Sequence, residues 1–257
     1  MITQEQFSKT PMGKAVIELS EEMSKRNMPP VTINVVGGFA LMMNDIRDPD
    51  CMTDIDYVGN PLPDDFNELA DKIGIKHKLG KGWINNDVML TGSSMEDFEF
   101  ATGKLHFDKS MDVGGIKINI LNEKDILRMK LIAVDTSIMA AEDGGDFSRV
   151  KDLPDVSKLL KLQHIDCDQI MDKYEEYILS EHTPRVIKAY QDGGNTKALE
   201  YVDELGRKHA ELLEKRAARQ EVRSSLLDNM MNNLYARYER EKAQGLDDDT
   251  DPFNPPS

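Results

Sequence analysis

Asp54 and Asp56 are the residues whose type and spacing most directly offer chemistry. They stand in Thr53-Asp54-Ile55-Asp56-Tyr57-Val58, which alternates polar and apolar residues like a β-strand. Side chains two apart on a strand share a face, so the two carboxylates lie side by side. Such a pair repels itself unless a cation sits between, which points to a divalent metal. Upstream, Ile33-Asn34-Val35-Val36 reads as a buried strand ending at Gly37-Gly38, and Phe39-Ala40-Leu41-Met42-Met43 as the opening turns of a helix. Two glycines let the backbone turn tightly and approach a ligand, and amides at the helix start hold a phosphate. A phosphate cradle beside a metal-holding Asp pair is the equipment of phosphoryl or nucleotidyl transfer. Taken singly, Gly-Gly is more often a plain strand-to-helix turn, and D-x-D a solvated strand edge. Their order and spacing favour the functional reading.

The scaffold begins with a helix expected over residues 3–27, with Thr3 as N-cap, Gln6 in the capping-box position, and Phe7, Val16, Ile17, Leu19 and Met23 as its apolar positions. Residues 44–52 form a loop holding Arg47, which contacts a phosphate or one of the aspartates, or is a plain surface arginine. An amphipathic helix is expected over 64–73, with Phe66, Leu69 and Ile73 buried. Residues 105–107 and 115–121 read as strands. Asn122 then caps a helix that carries Lys130 among apolar neighbours, where an isolated lysine ordinarily snorkels to water. Residues 151–162 read as a helix whose first turn holds Asp152 and Asp155, acids that suit a helix N-terminus.

From Ile165 the composition is helical and polar, with a break at Gly193-Gly194-Asn195. Residues 197–244 then read as one or two long helices. Met230, Met231, Leu234, Tyr235 and Tyr238 form a stripe there that is core or a partner contact. Residues 245–257 are acidic and Pro-rich, hence expected to be disordered. The fold class expected is α+β, a small mixed sheet with flanking helices followed by a C-terminal helical region. The domains expected are a core over 1–162, a helical region over 163–244 and a tail over 245–257.

A net charge of -15 argues against broad, non-specific nucleic-acid binding, which needs a positive surface, but leaves room for a local basic cleft. Only two cysteines occur, Cys51 and Cys167, so neither a disulfide framework nor a cysteine zinc site is indicated. The N-terminus lacks a signal pattern and no run approaches transmembrane length, so a cytoplasmic protein with no membrane partner is expected.

Gly37-Gly38, Arg47 and Thr53-Asp54-Ile55-Asp56 together resemble the signature of the polymerase-β-like nucleotidyltransferase superfamily. Within it the chain is most similar to the small bacterial branch that contains the AbiE-type toxin nucleotidyltransferases. The Lys130 helix and Arg149-Val150-Lys151-Asp152-Leu153-Pro154-Asp155 resemble that branch's later motifs, as does Trp83-Ile84-Asn85. The resemblance covers roughly residues 30–160. It implies a transferase that uses Mg²⁺ or Mn²⁺ held by Asp54 and Asp56, and moves a nucleotide from a nucleoside triphosphate to a hydroxyl of RNA or protein. Gly37, Gly38, Arg47, Lys130 and Asp152 would bind the nucleotide, with Lys130 also neutralising the leaving pyrophosphate.

The resemblance further implies a third carboxylate on a neighbouring strand. Asp87 is the first candidate and Glu99 the second. Asn119 sits where an acid would be expected in an alternating strand, and if it holds the third position, metal-dependent catalysis is in doubt. Relatives of this kind include toxin–antitoxin and phage-defence components controlled by a partner, so an antitoxin or other protein docking on the C-terminal helices is implied. The alternative from another class is a catalytically decayed core that serves as an interaction module through those helices.

Overall fold

Val, Ile and aromatic residues alternating with polar ones build five strands: β1 Val31–Val35, β2 Ile55–Val58, β3 Ile84–Asn85, β4 Lys109–Val113 and β5 Ile116–Ile120. In this computed structural model residues 1–49, 52–89 and 94–243 are described, with backbone alone for 218, 222, 223, 228, 229 and 233–243. The strands form one mixed sheet in the order β3-β2-β1-β5-β4. β1 runs parallel to β5 and antiparallel to β2, β2 runs parallel to β3, and β4 and β5 form an antiparallel hairpin. Val31, Ile33, Val35, Ile116, Ile118 and Ile120 are buried on one face, while Thr32, Asn34, Lys117 and Asn119 between them keep contact with solvent. One side of the sheet therefore carries the core and the other is polar.

The helices are α1 Gln4–Lys9, α2 Pro11–Lys25, α3 Gly37–Met43, α4 Asp64–Lys76, α5 Met95–Thr102, α6 Glu123–Glu142, α7 Leu153–Leu162, α8 Ile170–Tyr174 and α9 Thr183–Ala243. The α+β class is as expected. Thr3 and Gln6 form the expected capping box, but the first helix is two. Thr10 is extended (ψ 155°), ends α1 and caps α2, whose first residue Pro11 has no amide to leave unpaired. Phe66, Leu69 and Ile73 of α4 are buried as expected. Trp83 fills the space beside them and donates its indole N–H to the Ala70 carbonyl at 2.7 Å.

Residues 105–107, expected as a strand, join no ladder. The Leu105 amide donates to the Glu99 carboxylate at 3.1 Å and the His106 amide to Asp125 at 2.8 Å, while the His106 carbonyl accepts the Asn122 amide at 3.0 Å. Asn122 caps α6 by accepting the Asp125 amide. A 3₁₀ turn, Val150–Asp152, leads into α7.

The chain divides into two compact units, Met1–Asp203 and Glu204–Ser257. The core of the first unit includes Cys167, Ile170, Ile178, Val186, Ile187, Ala198 and Val202. α9 is broken at Gly193 and Gly194, whose φ/ψ are not helical. In the second unit the described residues are helical through Ala243, and Met230 and Met231 are exposed. The side chains of Leu234, Tyr235 and Tyr238, the tail 245–257 and Cys51 lie outside the described residues. No helix among the described residues is long and apolar enough to cross a membrane.

Candidate active site

The end of β1 and the start of β2 bring the first two motifs together. Antiparallel pairing continues one residue past β1, where the Val36 amide donates to the Asp56 carbonyl at 2.9 Å. Gly37 follows with φ +60°, and a Cβ there would stand 2.7 Å from Oδ2 of Asp56. A Cβ on Gly38 would stand 2.7 Å from Nη1 of Arg47 and 2.9 Å from Cε of Met52. The glycine pair thus makes room for a carboxylate and a guanidinium, and any side chain at either position would displace one of them.

Asp56 is half-buried within β2, beside Asn85 of β3. Asp54 is exposed and precedes the strand, which begins at Ile55 rather than Thr53. Burial raises the Asp56 carboxyl above its ordinary value, and the Asp54 charge raises it further. A hydrogen bond from Asn85 opposes the shift, the Asp87 charge adds to it, and Lys130 opposes it weakly.

These groups open on a cavity of about 350 Å³. Gly37, Gly38, Arg47, Asp54, Asp56, Lys130 and Asp152 all line it, so seven of the residues singled out in the sequence converge. Val88, Phe98, Ile126 and Met129 give it an apolar side, and Arg149 and Lys151 add positive charge. Phe98 carried no signal in the sequence because α5 buries no residue and so shows no apolar period. A larger open depression of about 450 Å³ lies elsewhere, lined by Glu18, Lys76 and His77 among others. Glu18 there is already hydrogen-bonded to Lys76 and His77, and Glu22 to Lys25, so it offers less chemistry than the smaller cavity.

Lys130 does not snorkel to water. It is buried, 2.5 Å from Asp152 Oδ1 and 3.0 Å from Asp155 Oδ2. Asp155 also accepts from Arg47, and Arg149 stands 3.5 Å from Asp152. Two buried carboxylates from the start of α7 therefore hold three cations from the 44–52 loop, α6 and the turn before α7. Asp152 faces Lys130 and Arg149, which places an acid where a nucleotide contact was expected.

The third-carboxylate candidates do not complete the pair. Asp87 is exposed, its amide donates to Asn85 Oδ1 at 3.0 Å, and its charge reaches Asp56 only as a field. Glu99 is engaged with the Leu105 amide, and Asn119 donates to Asn34 Oδ1 at 2.9 Å. Among the described residues no group of three or more His, Cys, Asp or Glu is arranged to hold a metal ion. Two protein carboxylates do fit magnesium that arrives with phosphates, since such ions commonly take one or two carboxylates and fill the remaining positions with phosphate and water.

The chain matches no family model, no curated protein and no solved structure. The chemistry of the site stands on its own residues. Arg47, Lys130, Arg149 and Lys151 face the cavity against Asp54, Asp56 and Asp152, a local excess of one positive charge in a chain of net charge -15. Asp155 behind them brings the balance to zero. An anion is tolerated here, and a polyanion would need a cation carried in with it.

Proposed function

We propose that the chain is a metal-dependent nucleotidyltransferase acting on a nucleoside triphosphate and a hydroxyl acceptor. The observation that carries this reading is the convergence of Gly37, Gly38, Asp54 and Asp56 on one cavity that also holds four cationic side chains. Asp54 and Asp56 would hold magnesium, which when bound draws charge from the phosphates. Arg149 and Lys151, at the cavity rim, take the outer phosphates by charge. Lys130 and Arg47, fixed by Asp152 and Asp155, supply a field that is already oriented. Phe98 and Met129 give the base an apolar wall. The acceptor oxygen attacks the α-phosphorus, the bond to the bridging oxygen of the β-phosphate breaks, and pyrophosphate leaves. The hydroxyl proton passes to water at the open side of the cavity, since Asp87 does not line it.

The competing reading is an interaction module with a decayed core. It is favoured by one observation: Lys130 and Arg47, the cations expected to meet phosphate, are already paired with Asp152 and Asp155. Calorimetry with ATP, CTP, GTP and UTP, with and without magnesium, is the first test of triphosphate binding. Incubation with the labelled triphosphates plus total RNA and lysate then tests transfer. Magnesium-dependent binding with transfer of label supports the enzyme. No triphosphate binding in any combination overturns the enzyme and supports the interaction module.

A further inference from the structure

In the second unit the described residues form a single helix, the latter part of α9. Setting residues 206–231 out in heptads gives seven columns, and five of them contain a charged residue. The two uncharged columns are Gly206, Leu213, Gln220, Leu227 and Ala210, Ala217, Ser224, Met231. They stand four and three residues apart in turn, which is the spacing of d and a positions, so together they make one continuous seam. A register shifted by one residue would bring Arg216 and Arg219, or Glu211 and Glu214, into that seam. The flanks are sorted as well. On one side the e positions hold Glu214 and Glu221 after an initial Arg207; on the other the g positions hold His209 and Arg216. Leu213, Leu227 and Met231 are 50%, 53% and 44% exposed, so one chain leaves its seam uncovered. Arg216, Glu214 and Glu221 make no ion pair among the described residues, and the Lys208–Glu204 pair lies away from the seam.

We infer that residues 206–231 form a parallel two-stranded coiled coil with a second copy of this chain. In parallel pairing each g residue faces the e residue five positions later on the other helix. Arg216 then meets the partner's Glu221 and His209 the partner's Glu214, and the two-fold axis repeats each contact. Antiparallel pairing would set g against g and e against e, so arginine would face arginine and glutamate would face glutamate. Charge therefore selects the direction. Gln220 selects the partner. In a parallel pair of identical helices in register it meets its own copy, and one amide can both donate to and accept from another. An unrelated apolar helix would leave that amide unpaired in the middle of the seam, which is costly. Alanine and serine at three of the four a positions bury little apolar surface, so the association is concentration-dependent rather than permanent. The pairing does not depend on the nucleotidyl-transfer reading.

Sedimentation equilibrium of the full chain between about 1 and about 100 µM reads the association. The wild type should move from the mass of one chain to that of two across this range. L213D/L227D, altered only at exposed seam positions, should stay at the mass of one chain. R216E should weaken association by roughly tenfold, because two exposed pairs turn from attraction to repulsion. R216E/E221R restores opposite charges in the parallel register and should recover the wild-type affinity. A wild type that stays single throughout, or an L213D/L227D variant that still pairs, overturns the inference. Unchanged affinity in R216E, or a double variant no tighter than R216E, removes the parallel register and overturns it too. A mass of three or four chains overturns the two-stranded assignment.

Discussion

Lys130 on α6 and Asp152 before α7 meet at 2.5 Å, and both are buried. Breaking a buried pair by removing one partner leaves a charge without compensation, at a cost of about 3–5 kcal/mol. Lys130→Met should therefore lower stability by that order, because Asp152 and Asp155 both lose a cation. Lys130→Met with Asp152→Asn should recover part of the loss, since the second change removes one stranded charge. Denaturant unfolding of the two single variants and the double variant checks this. Losses that simply add would show that the two side chains are not coupled.

Asp56 carries a different kind of strain. Its folded pKa is raised above the ordinary 3.8, first by burial and then by Asp54. For an acid shifted upward, the folded state holds the proton more tightly than the unfolded chain. The penalty is absent below the ordinary value and grows as the pH rises through the folded one. Asp56→Asn should accordingly melt higher than the wild type at pH 7 without metal, with the gap closing towards pH 3. Melting curves across that range decide it, and a variant that melts lower at pH 7 would refute the shift.

The same shift predicts how metal binding depends on pH. Protons and divalent cations compete for Asp56, so manganese affinity should fall on acidification at a higher pH than an ordinary aspartate would give. Asp54→Asn and Asp56→Asn should each remove the metal-dependent gain in triphosphate affinity. Titration calorimetry over pH 4 to 8 reads both effects. Manganese affinity that stays flat through that range would separate Asp56 from the metal.

Gly38→Val should act through packing. The added Cβ would meet Arg47 Nη1 at 2.7 Å and Met52 Cε at 2.9 Å, so both side chains must move. Overpacking of this kind costs about 1–3 kcal/mol. Displacing Arg47 also loosens its pair with Asp155. Thermal melting should drop, and magnesium–triphosphate affinity should weaken with it. An unchanged melting point would mean that Arg47 and Met52 yield freely.

Local rules made part of this legible in the sequence. The Thr3–Gln6 capping box, the Asn122 cap and the buried face of α4 depend on residues within one or two turns of each other. Gly37 and Asp56 were visible as motifs, but their contact comes from the β1–β2 pairing, which no local pattern states. The partners of Lys130 lie 22 and more residues away, so the sequence offered only a lysine in apolar company. In the 105–107 segment the Leu105 and His106 amides are taken by Glu99 and Asp125, and Asp125, 19 residues from His106, is a partner that no local pattern announces.

The extent of the core makes the last prediction. Ile170, Ile178, Val186 and Ile187 are all 2% exposed or less, and Ala198 and Val202 belong to the same cluster. Each large side chain fully buried contributes roughly 1.5–3 kcal/mol, so the four named first contribute roughly 6–12 kcal/mol. A domain of this size is stable by only about 5–15 kcal/mol in total. A chain ending at Leu162 should therefore aggregate or lack a cooperative transition, whereas one ending at Asp203 should unfold cooperatively near the melting point of the full chain. The shorter chain loses side chains that the core requires; the longer one ends where the first compact unit ends. Calorimetric melting of both truncations checks it, and a folded, cooperative chain ending at Leu162 would show that the helices after α7 are dispensable to the core.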